Sequence, residues 1–283
     1  MAISDSIKQT LRQWTLSMGG TDLEGRLKET RLDNANEYGV DPFGFSLEYA
    51  LSAVGPLVWL YQHYFRVQTF GIEHVPPGRV LLISNHGGQL PIDGAMIGVS
   101  MLTEAQPPRV IRSMVEKWVG TLPYVSTLFA RIGQIVGTPE NCRRLLEHDE
   151  AILVFPEGLK GIQKLYAQRY QLQDFGLGFM RLALETKTPI VPVAVVGSEE
   201  QAPTLFKLNT VGKLFGMPGI PVTPYGLPFP LPTKYRIYFG EPLVFSGRAD
   251  DEDAELEKKV LVVKAAISSM LEKGLAERKG VFF

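Results

Sequence analysis

The chain has 283 residues, 45% of them hydrophobic and 21% charged, so it is long and apolar enough to bury a core and is not a disordered chain. Its 29 Lys and Arg residues against 30 Asp and Glu residues lack the basic excess of nucleic-acid-binding proteins, and we expect no nucleic-acid partner. The single cysteine, Cys142, excludes an internal disulfide framework and a multi-cysteine zinc site, and it fits a reducing compartment.

The first 65 residues predict helices. The polar amphipathic pattern of residues 1–45 predicts one or two helices that end near Gly39. Residues 46–65 predict an apolar helix, which Pro56 interrupts and which carries no charge from residue 49 onward. This charge-free part is shorter than the ~20 apolar residues of a membrane-spanning helix. Three interpretations stay open for it: packing on the protein core, which we favour, lying in a membrane interface, or spanning a membrane.

From residue 66 onward, short apolar runs alternate with helical patterns. The runs that predict strands are 79–84, 109–113, 133–136, 151–155, 190–196 and 235–239. The patterns that predict helices are 92–102, 115–131 with a break at Pro123, 140–148, 175–187 and 252–278. Continuous apolar strands separated by helices predict an α/β layered domain with a mostly parallel central sheet flanked by helices. We divide the chain into an N-terminal helical extension, residues 1–65, and one domain, residues 66–283.

An apolar, proline-rich stretch precedes the last predicted strand. Residues 214–233 are long enough to span a bilayer, but their six prolines forbid a regular helix. Lys207 and Lys213 precede the stretch, and Lys234 and Arg236 follow it. The stretch therefore either dips into an anionic membrane interface or folds over the core of the protein, and both interpretations stay open.

The first cluster of potentially reactive side chains follows the predicted strand 79–84. Residues 84–94 read Ser-Asn-His-Gly-Gly-Gln-Leu-Pro-Ile-Asp-Gly. A histidine such as His86, in a glycine loop at the carboxyl end of a strand, can act as a general base near neutral pH. Asp93 can fold back to hold one imidazole nitrogen and thereby fix the tautomer of the ring. The alternative interpretation is an exposed loop histidine followed by an aspartate that caps a helix.

The second cluster follows the predicted strand 151–155. Residues 155–161 read Phe-Pro-Glu-Gly-Leu-Lys-Gly, which places a carboxylate and an ammonium group at a second strand end. Glu157 can accept a hydrogen bond from a hydroxyl group, and Lys160, Lys164 and Arg169 can meet a phosphate. The alternative interpretation is an ordinary strand exit followed by solvated cations.

Several other chemistries find little support. The chain has no Gly-x-Ser-x-Gly, Walker or Gly-x-Gly-x-x-Gly motif. We expect no metal site, because the remaining histidines lack metal-ligand spacing; they are His63, His74 and His148. A metal site built on His86 and Asp93 is the weakly supported alternative. Pro192, inside a predicted strand, indicates an edge strand or a bulge.

Five segments, taken in order, resemble blocks of the glycerolipid acyltransferase superfamily, of the lysophospholipid acyltransferase type. They cover the lead-in to its histidine block, that block itself, its glycerol-phosphate block, its late Val-Pro block and its final strand exit. The segments are Gly-Ile-Glu-His-Val-Pro at 71–76, Val-Leu-Leu-Ile-Ser-Asn-His at 80–86, Phe-Pro-Glu-Gly at 155–158, Val-Pro-Val-Ala-Val-Val-Gly at 191–197 and Gly-Glu-Pro-Leu at 240–243.

The resemblance implies an O-acyltransferase that moves a fatty acyl group to a hydroxyl of a glycerolipid such as lysophosphatidate. The donor would be a thioester, acyl-CoA or acyl carrier protein, used as a co-substrate without any further cofactor. His86 would deprotonate the acceptor hydroxyl, Asp93 would orient His86, and no covalent acyl-enzyme would form. Such a protein would contact a membrane peripherally, on its cytoplasmic side.

The resemblance also implies a set of substrate-binding residues. They would hold the glycerol or phosphate part of the acceptor, and they are Asn85, Pro156, Glu157, Gly158 and Lys160.

Two features depart from the family's pattern. Six residues rather than four separate His86 from Asp93, so the loop between them must bulge if the two side chains are to meet. The second block of the family carries an arginine, whereas residues 133–139 here have none, and arginines follow only at 143 and 144. Neutral mono- and diacylglycerols therefore stay open as acceptors. The alternatives of other classes are a non-catalytic membrane- or lipid-binding protein and a metal-dependent hydrolase.

Overall fold

The structure is a computed structural model that describes residue 13 and residues 23–30, 35–115, 125–208, 220–226 and 230–283. Most of the predicted helical segment before residue 23, the predicted break at Pro123 and, within the proline-rich stretch, residues 214–219 and 227–229 lie outside these residues.

Seven strands form a mixed sheet, and two more form a small antiparallel pair. The strands are β1 (Gln68–Phe70), β2 (Val80–Ser84), β3 (Ile111–Val115), β4 (Ile135–Val136), β5 (Ala151–Val154), β6 (Ile190–Val196), β7 (Phe206–Leu208), β8 (Ile220–Val222) and β9 (Arg236–Phe239). The order in the sheet is β1-β9-β6-β2-β5-β3-β4. Strands β6, β2, β5, β3 and β4 run parallel, whereas β9 is antiparallel to β6. The predicted mostly parallel sheet is confirmed.

Helices cover both faces of this sheet. Those that the structure describes are α1 (Leu23–Glu29), α2 (Leu47–Trp59), α3 (Ile92–Thr103), α4 (Val125–Arg131), α5 (Pro139–Glu147), α6 (Leu159–Ile162), α7 (Gly178–Thr186) and α8 (Asp253–Glu277). On β2, Val80 and Leu82 pack towards α2 and α3, whereas Leu81 and Ile83 pack towards α5, α7 and α8. Two buried faces explain why the strands read as unbroken apolar runs.

The apolar helix before the sheet packs on the core. Helix α2 buries Leu51 and Val58, and it continues as a π-helical turn, Leu60–Tyr64, in which Tyr61 is buried. These side chains join the core on the α3 side of the sheet, so the favoured interpretation of this helix is confirmed. Among the helices in the described ranges, none is long and apolar enough to cross a membrane.

Pro192 lies in an interior strand. Strand β6 runs between β9 and β2, so the interpretation of Pro192 as an edge-strand residue is wrong. The pairs Val193–Phe239 and Ile190–Leu243 enclose two residues on β6 and three on the opposite segment, which is a bulge. Because proline has no N–H to donate, it is tolerated where this ladder is interrupted.

Candidate active site

The two predicted clusters lie side by side at one edge of the sheet. Strands β2 and β5 are parallel neighbours, with Ile83 paired to Val154, so both chains leave the sheet at the same edge. His86 and Glu157 follow these two strand ends, and the N–H of His86 donates to Glu157 Oε1 over 3.0 Å. The carboxyl ends of parallel strands are the usual place for ligands in α/β folds.

His86 and Asp93 are in direct contact. His86 Nδ1 lies 2.7 Å from Asp93 Oδ2, and the side chain of Asp93 is fully buried. The same carboxylate accepts the N–H of Gly87 over 3.0 Å and the N–H of Gly94 over 2.8 Å. Since a carboxylate only accepts, the neutral imidazole carries its hydrogen on Nδ1, and Nε2 of this tautomer has a free lone pair. The spatial contact that the sequence predicts is therefore present.

The loop between these residues bulges as the longer spacing requires. Gly88 has a φ of 86° and Gln89 a φ of 66°, so two successive residues adopt left-handed backbone conformations. A Cβ at Gly88 would lie 2.3 Å from the carbonyl oxygen of Ser198, which leaves room for glycine alone. The two extra residues are thus absorbed without moving Asp93 away from His86.

The imidazole ring of His86 is held from two sides. It stacks on Phe155 with a centroid distance of 3.9 Å and an interplanar angle of 17°, while Asp93 fixes its Nδ1. The side chain of His86 is 11% exposed, and in the described part of the chain Nε2 has no hydrogen-bond partner. This arrangement leaves Nε2 available to take a proton from a bound molecule.

Glu157 is held by the protein itself. Its side chain is fully buried, and its Oε2 accepts the N–H of Gln173 over 2.8 Å and lies 3.3 Å from Lys164 Nζ. Its other oxygen accepts the N–H of His86. The predicted role of Glu157 in substrate binding stays a prediction, and these contacts indicate that it positions the main chain at His86.

The other predicted binding residues have different surroundings. Asn85 is buried and exchanges two hydrogen bonds with Val195 of β6, at 3.1 and 2.8 Å, which extends the pairing of β2 and β6 past Ser84. Pro156 and Gly158 are half-buried at the end of β5, and Lys160 is exposed on α6. Substrate binding by all of these residues stays a prediction, and the amide of Asn85 already serves the sheet.

The first arginines after residues 133–139, Arg143 and Arg144, contact residues outside the candidate site. Arg143 pairs with Glu185 over 2.8 Å, and the guanidinium of Arg144 lies over the ring of Phe43, 5.2 Å from its centroid. Neither arginine has a described contact with the loop that carries His86. Among the described residues, no three His, Cys, Asp or Glu side chains are close enough together to hold a metal ion.

Residues after a third strand end also contact this site, and the sequence analysis did not predict them. Directly after β6, the buried residues Glu199 and Gln201 reach back to the first two clusters. Glu199 Oε1 lies 2.8 Å from Lys164 Nζ, and Gln201 Nε2 donates to the carbonyl oxygen of Gly88 over 3.1 Å. The signal in the sequence is the polar run Ser-Glu-Glu-Gln at 198–201, which only Gly197 separates from the fully apolar strand β6.

Burial raises the pKa of Glu199 to about 7, although the ammonium of Lys164 opposes this rise. The folded chain therefore keeps this proton between pH 4.5 and about 7, where the unfolded chain releases it. We expect Glu199 to stabilise the fold most below pH 4.5, and we expect this contribution to be lost as the pH rises through 7.

The expected change amounts to ~3 kcal/mol in the free energy of unfolding, since one pKa unit corresponds to about 1.4 kcal/mol. Urea unfolding of the wild type and of Glu199→Gln at pH 5 and pH 8 measures it, because the variant cannot titrate at this position. Identical pH dependence in the two proteins would contradict the assignment.

Comparisons with known proteins place this geometry in context. A model of the acyltransferase family matches residues 66–196. An uncharacterized protein of Mycobacterium tuberculosis is 38% identical over 260 residues, which are 87% of this chain and 72% of that protein. A probable 1-acyl-sn-glycerol-3-phosphate acyltransferase of Mycoplasma pneumoniae is 27% identical over 177 residues, 59% of this chain and 64% of that protein.

One further relative and one solved structure are also similar to this chain. A protein of Gallus gallus named DGAT1/2-independent enzyme synthesizing storage lipids is 25% identical over 206 residues, 72% of this chain and 58% of that protein. The crystal structure of PlsC, the 1-acyl-sn-glycerophosphate acyltransferase of Thermotoga maritima, superimposes with a TM-score of 0.52 at 18% identity and covers 79% of this chain and 76% of that one. This structural match shows a shared fold.

Proposed function

The chain belongs to the acyltransferase family, and from this premise we propose that it is an O-acyltransferase acting on a glycerolipid hydroxyl such as that of lysophosphatidate. The observation that carries the proposal is the contact of 2.7 Å between His86 Nδ1 and Asp93 Oδ2, which leaves Nε2 as a proton acceptor at the edge of the sheet. The donor in this proposal is a fatty acyl thioester of coenzyme A or of acyl carrier protein.

The proposed reaction uses His86 twice. Nε2 takes the proton of the acceptor hydroxyl while the oxygen attacks the thioester carbonyl carbon, and Asp93 stabilises the imidazolium that forms. The carbon–sulfur bond then breaks, and the imidazolium returns the proton to the leaving thiolate. The products are an ester and a free thiol, without a covalent acyl-enzyme. Binding two substrates in the correct orientation supplies up to ~7–11 kcal/mol in favourable cases.

Neutral mono- and diacylglycerols form the second candidate class of acceptors. One of the basic residues that the sequence offers to a phosphate, Lys164, is buried between two carboxylates, whereas Lys160 remains exposed. A phosphorylated acceptor would therefore rely on Lys160, whose ammonium is a point charge, or on Arg169, whose side chain is 41% exposed and whose guanidinium lies over the ring of Tyr166. The similarity to a protein named for the synthesis of storage lipids supports the same class.

A matrix of acceptors and donors tests the proposal. Lysophosphatidate, monoacylglycerol and diacylglycerol are each combined with acyl-CoA and acyl carrier protein thioesters, and both the released thiol and the lipid mass are measured. Thiol release that requires an acceptor supports the proposal. Lipid binding without thiol release in every combination would instead support a non-catalytic lipid-binding protein.

We also propose peripheral contact with a membrane, because the proposed acceptors are lipids, and we propose its cytoplasmic side because the free cysteine Cys142 fits a reducing compartment. Strand β7 and its surroundings carry apolar side chains that are about half exposed, namely Leu205, Phe206, Leu208 and Tyr225. The hydroxyl of Tyr225 donates to the carbonyl oxygen of Gln201 over 3.3 Å, so this surface lies beside the loop of His86.

Replacing Phe206 and Leu208 with serine is expected to weaken binding to anionic phospholipid vesicles by at least about tenfold, because burying one such side chain contributes ~1.5–3 kcal/mol. Vesicle co-sedimentation measures the binding. The matched control replaces Val244 and Leu261, which are 80% and 60% exposed, with serine. Equal losses in both double variants would contradict a specific role for this surface.

A further inference from the structure

We propose that Lys164 is a positioning residue for acyl transfer: it holds Glu157 and Glu199 together, and through them it holds the main chain at His86 and Gly87. This inference rests on the proposed function for the reaction that it serves. The three side chains Glu157, Lys164 and Glu199 are called the carboxylate bridge below.

The carboxylate bridge is buried throughout. Lys164 Nζ lies 2.8 Å from Glu199 Oε1 and 3.3 Å from Glu157 Oε2, and the three side chains are 4%, 3% and 0% exposed in the order Lys164, Glu199 and Glu157. Buried charges are tolerated only when they are paired, and removing one partner leaves an uncompensated charge. One ammonium here serves two carboxylates, so both depend on Lys164.

Each carboxylate of the bridge touches the loop that carries the proposed base. Glu157 accepts the main-chain N–H of His86 over 3.0 Å. A Cβ on Gly87 would lie 2.2 Å from Glu199 Cγ, which shows that the side chain of Glu199 packs directly on the next residue of the loop. The carbonyl oxygen of Lys164 accepts a hydrogen bond from Gln89 Nε2 over 3.3 Å. The bridge thus contacts the loop at three points.

The same contacts argue against a phosphate-binding role for Lys164, which the sequence left open. Its ammonium faces two protein carboxylates and its side chain is 4% exposed, so a ligand phosphate would have to displace a buried ion pair. Lys164 therefore acts through His86 rather than on the substrate.

The bridge also predicts a pH signature. Glu199 faces the ammonium of Lys164, the N–H of Tyr170 and the carboxylate of Glu157. Without Lys164, both carboxylates of the bridge would be charged and repel each other at high pH, whereas protonation of Glu199 would relieve the repulsion at lower pH. The defect of a Lys164 variant should therefore grow as the pH rises.

Four variants test the inference. They are Lys164→Met, Glu199→Gln, the double variant Lys164→Met/Glu199→Gln, and the control Lys258→Met, whose side chain is 69% exposed. We expect Lys164→Met to lower kcat by about 10- to 100-fold with little change in KM, because small displacements of a catalytic group have effects of this size. The deficit should increase between pH 6 and pH 9, and the double variant, with one charge fewer, should recover part of it.

Hydrogen exchange at the main-chain N–H of His86 gives a readout that does not depend on activity. This N–H should exchange faster in Lys164→Met than in the wild type or in Lys258→Met. If Lys164→Met had the same kcat as the wild type and the same exchange rate at the His86 N–H, the inference would be overturned. If Lys164→Met does not fold, Glu199→Gln decides, since a pH profile of kcat identical to that of the wild type would overturn it.

Failure of the proposed function would look different. If the wild type showed no acyl transfer that depends on His86, the proposed reaction would be wrong. The exchange comparison would still decide whether Lys164 holds the loop.

Discussion

Replacing His86 with alanine is expected to lower kcat for acyl transfer by about 10²- to 10⁴-fold, the usual contribution of a general base. The variant loses Nε2, the atom that the proposed reaction uses for both proton transfers. The fold should persist, because the main-chain N–H that donates to Glu157 remains in place. Acceptor-dependent thiol release measures kcat, and thermal unfolding measures the fold.

The matched control for this variant is His148→Ala, since His148 is exposed next to the end of α5. We expect its kcat to equal that of the wild type. Near-native turnover in His86→Ala would show that another group removes the proton, and the proposed mechanism would have to be abandoned.

Replacing Asp93 with asparagine should reduce both turnover and stability. The carboxylate accepts hydrogen bonds from His86 Nδ1 and from the N–H groups of Gly87 and Gly94. Asparagine has one oxygen, so in either orientation its NH₂ group faces a main-chain donor. When the NH₂ group faces His86, the imidazole hydrogen moves to Nε2, which can then no longer accept a proton.

We expect kcat of the Asp93→Asn variant to fall by about 10²- to 10⁴-fold. We also expect a loss of ~1–3 kcal/mol in the free energy of unfolding, because a buried N–H is left without an acceptor. Steady-state kinetics and urea unfolding measure the two effects. Asp174→Asn is the control, since Asp174 is exposed. A stable Asp93→Asn variant with unchanged kcat would show that His86 does not need this carboxylate.

The elements that the sequence predicts best are those buried on both sides. Residues 190–196 form β6 without any shift of its ends, because an unbroken run of β-branched and small apolar residues has no other low-energy place in a layered fold. The predicted helix 252–278 also agrees with α8 to within one residue at each end. The sequence did not predict β1, β7 and β8, since a three-residue strand has too few side chains to show the alternation of apolar and polar residues that indicates a strand.

The contacts of the candidate site were predictable from the sequence where the two residues are close together along the chain. His86 and Asp93 lie seven residues apart, on either side of a glycine turn, so their contact follows from the end of a strand and the start of a helix. The partner of Asn85 is Val195, 110 residues further along the chain, and no local pattern reports such a pairing. The same limit applies to Lys164 and Glu199, which are 35 residues apart and meet only because two strands end at the same edge.

The two successive left-handed residues after Gly87 have a consequence for how related chains are found. They let a turn grow by two residues while the imidazole–carboxyl distance stays at 2.7 Å. What defines the proposed catalytic dyad is thus the distance between the two side chains, and the number of residues between them can vary. A sequence motif that requires four residues between the histidine and the aspartate does not match this chain. A structural template built on the positions of the two side chains would match it.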